Sequence, residues 1–76
     1  MSTDDAVGFP IVLRGYDRAQ VDEAVKLAAA VLATGSENER ARVRDVLRAR
    51  TFRRVLRGYD RAQVDQWRED AVRRLS

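Results

Sequence analysis

Arginine is the side chain with which this chain could act on a partner. Fourteen of its 15 basic residues are arginine, a cation charged at any physiological pH whose planar fork fits phosphate and carboxylate groups. Arg40, Arg44 and Arg48 recur every four positions, on one face of a helix, and with Arg53 and Arg54 they make a basic patch. Like charges at that spacing repel. The row therefore calls for compensation, either from acidic residues such as Asp22 and Glu23 or from an anionic partner; a solvated helix face is the plainer reading. Bond-making chemistry has few candidates. Without Cys or His there is no thiol nucleophile, imidazole base, disulfide or zinc site. The adjacent carboxylates Asp22 with Glu23, and Glu69 with Asp70, read as solvated helix surface. No glycine-rich phosphate loop or metal-ligand spacing is present. The expectation is a protein that is not an enzyme and takes no cofactor or metal.

The elements that position these groups come in duplicate. Shifted by 43 positions, residues 9–32 lie over residues 52–75, and the ten residues from Leu13 to Asp22 recur unchanged as Leu56 to Asp65. Phe9 matches Phe52, Val12 matches Val55, Ala28 matches Ala71 and Leu32 matches Leu75. A fixed-period identity of this length marks a repeated structural unit. Each copy reads as an extended lead, a glycine turn and a capped helix. Asp17 and Asp60 are the N-caps, with Gln20 and Gln63 placed to reach back as capping boxes. Tyr16 and Tyr59 are placed to staple against Val21 and Val64 and to be substantially buried. Gly15 and Gly58 stand where the chain turns, with freedom for positive φ.

Apolar spacing extends the first helix from about Arg18 to Thr34, with Val21, Ala24, Val25, Ala28, Val31 and Leu32 inward and Gly35 closing it. Ser36 and Glu39 open a connecting helix over 36–50, with Val43, Val46 and Leu47 inward. The third helix follows Asp60, with Val64, Trp67, Ala71 and Leu75 on its apolar face; Trp67 is expected to fill the space left by Ala24. Only Arg53 to Leu56 suggests a strand, and weakly. The expected fold is all-α: one domain over 1–76, a three-helix up-down-up arrangement of a duplicated turn-helix motif. The second helix is long enough to return the chain to the end where the first motif began. Both turns then share one end, as an internal pseudo-dimer or, alternatively, as a true coiled-coil-like dimer in which two chains exchange motifs.

The pattern Phe-x-x-x-Leu-Arg-Gly-Tyr-Asp-x-x-x-Val-Asp, present at Phe9 to Asp22 and at Phe52 to Asp65, resembles the N-terminal motif of the DivIVA family. These are bacterial polar and septal scaffold proteins. The resemblance implies a lipid-binding domain whose crossed loops expose an apolar residue beside an arginine. The tip residues here would be Leu13 with Arg14 and Leu56 with Arg57, supported by the turn and cap residues Gly15, Tyr16, Asp17, Gly58, Tyr59 and Asp60. An aromatic often stands in the family where these leucines stand. No long heptad tail of the family's kind is read within these 76 residues, so filament or lattice formation is not expected of them.

Three functions remain in view. The first is a membrane-surface or scaffold-interaction module of cell division or polar growth, binding an anionic membrane or DivIVA-like proteins, with homo-oligomers allowed. The second is a protein–protein adaptor without lipid binding. The third and least favoured is a nucleic-acid binder using the arginine stretch, for which no fingerprint appears. The longest apolar run, Leu27 to Ala33, is too short to span a bilayer. An N-terminus opening on Asp4 and Asp5 carries no readable secretory signal. A cytoplasmic protein, peripheral on the inner face of the plasma membrane, is expected.

Overall fold

The computed structural model describes residues 8–76; the acidic opening at Asp4 and Asp5 lies outside them. Two strands and three helices follow one another as β1 (Ile11–Tyr16), α1 (Arg18–Thr34), α2 (Glu37–Ala49), β2 (Arg54–Tyr59) and α3 (Arg61–Leu75). The all-α expectation is therefore corrected. The extended leads of the two copies pair with each other into a two-stranded sheet. Ile11 faces Tyr59, Val12 faces Gly58, Leu13 faces Arg57, Gly15 faces Val55 and Tyr16 faces Arg54. Residue numbers fall along β2 as they rise along β1, so this ladder is antiparallel. At the crossing of the two segments Tyr16 also meets Tyr59, in the parallel sense. Neither lead alternates apolar and polar residues, because neither covers a core with one face. Their pairing lies 43 residues away along the chain, so local periodicity cannot reveal it.

The glycines serve space rather than turn conformation. Among the described residues positive φ occurs at Gly8, 75°, and at Arg14, 60°, not at Gly15 or Gly58. A Cβ at Gly15 would lie 2.5 Å from the Gly58 carbonyl oxygen and closer still to that of Tyr59. One at Gly58 would run into the Tyr16 carbonyl. The two backbones cross where only glycine lets them touch. Arg14 adopts the left-handed conformation that an L side chain resists.

The helix boundaries fall where the apolar spacing places them. Asp17 and Asp60 cap α1 and α3, accepting from the N–H groups of Ala19 and Ala62 at 3.2 and 3.0 Å. The expected Asp-Gln boxes do not form. Instead the Asp17 N–H donates to Arg53 O and the Asp60 N–H to Pro10 O, each across to the other copy. Gln20 accepts from the Arg53 N–H at 2.7 Å. Gln63 has no equivalent donor, because its counterpart is Pro10, which lacks an N–H. Ser36 and Glu39 do form the reciprocal box that opens α2. Gly35 closes α1 in an extended conformation, its N–H donating to Val31 O.

Val21 and Val64, equivalent in the repeat, are both fully buried, joined by Leu47 from α2. Ala24, Ala28, Val43, Phe52, Ala71 and Leu75 complete the core. Val25, Val31 and Trp67 are half-buried against it. Leu32 and Val46, read as inward, are 36% and 43% exposed. Trp67 meets Phe9 edge-on at 6.5 Å and lines a cleft with Val25, Ala28 and Ala71. It thus caps the seam between α1 and α3 from outside. Ala28 and Ala71 share that cleft while both helices leave one sheet, so α1 and α3 run in the same direction. Arg50 beside Glu23 shows that α2 has brought the chain back. Within the chain, the two copies pair with each other through β1 and β2.

Candidate functional site

The crossed strands form one end of the molecule, and their centre holds both tip leucines. Leu13 is 71% exposed and Leu56 72%, the most exposed large hydrophobic side chains among the described residues. Leu13 lies opposite Arg57, and Leu56 falls between Arg57 and Val55, across from Arg14. The two leucine Cα atoms are thus about one strand spacing apart, roughly 5–8 Å. Arg14 and Arg57 are exposed beside them. The arrangement sets two exposed apolar side chains between two exposed arginines.

Beneath the tip, the repeated tyrosines lock the halves together. The Tyr16 hydroxyl donates to Asp65 Oδ1 at 3.0 Å and the Tyr59 hydroxyl to Asp22 Oδ1 at 2.8 Å. Each bond runs from one copy to the helix of the other. Tyr16 stacks at a tilt on Phe52 and Tyr59 on Phe9, both at 5.4 Å between ring centres. Both rings are half-buried against the core. Asp22, read from the sequence as helix surface or as counter-charge to the arginine row, and Asp65, which had no role there beyond the motif, are the positions whose part in these locks sequence reasoning missed. The signal was present: the unchanged ten-residue stretch ends on these aspartates.

Partial burial of Tyr16 raises its phenol pKa above the ordinary value of 10.0, and the bond to the Asp65 carboxylate raises it further. A raised folded-state pKa means that the stabilisation is complete below the unfolded value and is lost as pH climbs from there through the folded value. Tyr16→Phe should therefore cost about 1 kcal/mol at pH 7. It should also lose less stability than the wild type between pH 9 and pH 11. Urea titrations of both proteins at the two pH values check this; equal losses would detach Tyr16 from the alkaline transition.

The basic patch divides among separate tasks. Arg40 donates to Gly35 O at 3.3 Å, closing the link between α1 and α2. Arg44 pairs with its neighbour Asp45 at 3.3 Å. Arg53 pairs with Asp17 at 3.2 Å, reinforcing the cap of α1. Arg48 lines a shallow groove with Arg68 and Arg73, and Arg54 is exposed on β2. Asp22 is turned to Tyr59 rather than to the row, and Glu23 meets Arg50 loosely at 3.9 Å. Arg68, opposite Val25 in the repeat, does more than any member of the patch. It donates to Arg50 O at 2.7 Å at the end of α2 and lies 5.3 Å from the Phe52 ring centre.

No group of three or more acidic side chains able to hold a metal occurs among the described residues. No helix among them is long and apolar enough to cross a membrane. No family model, curated protein or solved structure matches the chain.

Proposed function

We propose that this chain is a non-enzymatic module that attaches to an anionic membrane surface through its two-leucine tip, in the way its resemblance to the DivIVA lipid-binding motif implies. The observation that carries the reading is the exposure of Leu13 and Leu56 side by side, on a part of the molecule made rigid by crossed backbones and two tyrosine locks. An apolar side chain held out by so constrained a support gains nothing for the fold. Its gain lies in being covered. Arg14 and Arg57 supply the charge that a phosphate headgroup layer attracts. The setting that follows is the inner face of the plasma membrane, as a scaffold-interaction element of division or polar growth.

Burying each leucine contributes roughly 1–2 kcal/mol and each arginine about 1 kcal/mol near an anionic leaflet. One tip pair thus gives about 4–6 kcal/mol, a dissociation constant from about 1 mM down to tens of micromolar. Firm attachment needs several tips acting together.

Co-sedimentation with phosphatidylglycerol-containing vesicles tests the reading, with phosphatidylcholine vesicles as the neutral control. Leu13→Ser/Leu56→Ser should abolish binding while leaving the ellipticity unchanged, because neither leucine is core. Each single change should weaken binding partly, and added salt should weaken the wild type by screening the arginines. Unaltered binding by the folded double variant would reject the mechanism. A wild type that ignores anionic vesicles would return the tip to the adaptor reading, with a protein partner on the leucines.

A further inference from the structure

The fold is flattened, 17 Å along its shortest axis against 37 and 30 Å along the other two. A domain core is ordinarily enclosed between two layers. Here α1 is left open on one side. Its apolar run from Leu27 to Ala33 surrounds the helix, and a helix apolar all round belongs in an interior. Leu27, 43% exposed, projects into the seam between α1 and α2, and Val46 of α2, also 43% exposed, stands across that seam. Leu27 is shared by the two depressions along this seam, so they form one continuous groove. At its end nearest the tip stand Glu23 and Arg50, whose mutual contact is a loose 3.9 Å with the Glu23 side chain 80% exposed.

We infer that this groove is the interface for a second copy of the same chain, related by a two-fold axis lying along the seam. That operation lays α1 of one protomer on α2 of its partner. Leu27 of each copy then covers the partner's Val46, so the two exposed apolar side chains of the face are paired. Each Glu23 then faces the partner's Arg50. An isologous interface must match itself in this way, and the tip end of the groove, with Glu23 on α1 and Arg50 on α2, does so; Glu39 and Arg42, both on α2, line its far end. Because α1 and α2 are antiparallel, every neighbouring pair in the resulting four-helix bundle is antiparallel. The axis also keeps both copies pointing the same way. The dimer therefore presents two pairs of tips on one side, although its formation does not depend on what the tips bind.

The groove is short and two helices wide, at the small end of specific interfaces, so dissociation in the micromolar range is expected. Sedimentation velocity between roughly 5 and 500 µM should show the mass rising from 8.7 kDa towards twice that value. Leu27→Glu/Val46→Glu should remain monomeric throughout. Glu23→Arg and Arg50→Glu, both on the surface and both checked for native ellipticity, should each be monomeric at a concentration where the wild type is dimeric. An equimolar mixture of those two variants should recover the dimer, since each acid again meets a base across the interface. A wild type monomeric at every concentration would overturn the proposal. So would a dimer that survives the Leu27/Val46 change, which would put the contact elsewhere, as would a mixture that fails to recover.

Discussion

Gly58→Ala should leave the chain largely unfolded at 25 °C. The added Cβ would collide with the Tyr16 carbonyl oxygen and stand 2.8 Å from its carbonyl carbon and from Val55 Cγ2. Two of these three obstacles are backbone atoms, and a backbone cannot rotate aside as a side chain can. Nor can the strand retreat, because the Asp17 N–H next to Tyr16 is fixed to Arg53 O at 2.8 Å. Overpacking costs about 1–3 kcal/mol where neighbours yield, and more where they do not. A chain of this length has roughly 4–11 kcal/mol to lose. Gly15→Ala should behave alike, since its Cβ meets Gly58 and Tyr59 backbone atoms. Arg57→Ala, one residue away but exposed, should stay within about 0.5 kcal/mol of the wild type. Far-UV circular dichroism with urea titration decides the matter. A Gly58→Ala protein with native ellipticity and a wild-type midpoint would mean that the strands do not cross as described.

Leu47→Ala should be the most damaging truncation in the core, at about 3 kcal/mol within the 2–5 kcal/mol usual for such a change. Leu47 is 1% exposed and is the largest fully buried side chain among the described residues. It comes from α2, which belongs to neither repeat, and it shares the core with Val21 and Val64, one from each copy. Three of the nine buried core residues are alanines, so little neighbouring bulk is available to refill the space. The expected signature is a lower urea midpoint at unchanged slope. A loss below about 1 kcal/mol would show that α2 is an accessory and that the two copies hold together without it.

The helices were legible because their signals are local. Cap residues stand at Asp17, Ser36 and Asp60, and apolar residues recur at helical spacing between them. The repeat announced that two equivalent ends exist, and the lengths of α1 and α2 placed them together. What stayed hidden was made between copies. Tyr16 with Asp65, Tyr59 with Asp22, and Arg53 with Gln20 and Asp17 each join residues more than 30 positions apart. Read within one copy, Gln20 looks like half of a capping box and Asp22 like solvated surface. The strands were only faintly legible, at Arg53 to Leu56, for the same reason. A two-stranded pairing that covers no core imposes no alternation, and its stability comes from the crossing and the tyrosine locks. Gly15 and Gly58 were rightly singled out for the wrong property: a sequence shows that a glycine is present, not whether its lack of a side chain or its freedom of φ is being used.

Fusing two copies into one chain releases each from having to resemble the other. In an assembly of identical subunits a substitution enters both halves at once, and a change good for one side must be tolerated by its twin. Here Pro10 stands opposite Arg53, so only the first helix gains the extra N–H donor, to Gln20, and the ion pair at its start. Arg68 replaces Val25 and ties α3 to the end of α2, while Trp67 replaces Ala24 on the outer seam. Arg14 is left-handed where Arg57 is not. The two leucines that lie side by side are therefore carried by unlike supports. Their supports can drift apart in rigidity without either half having to be lost.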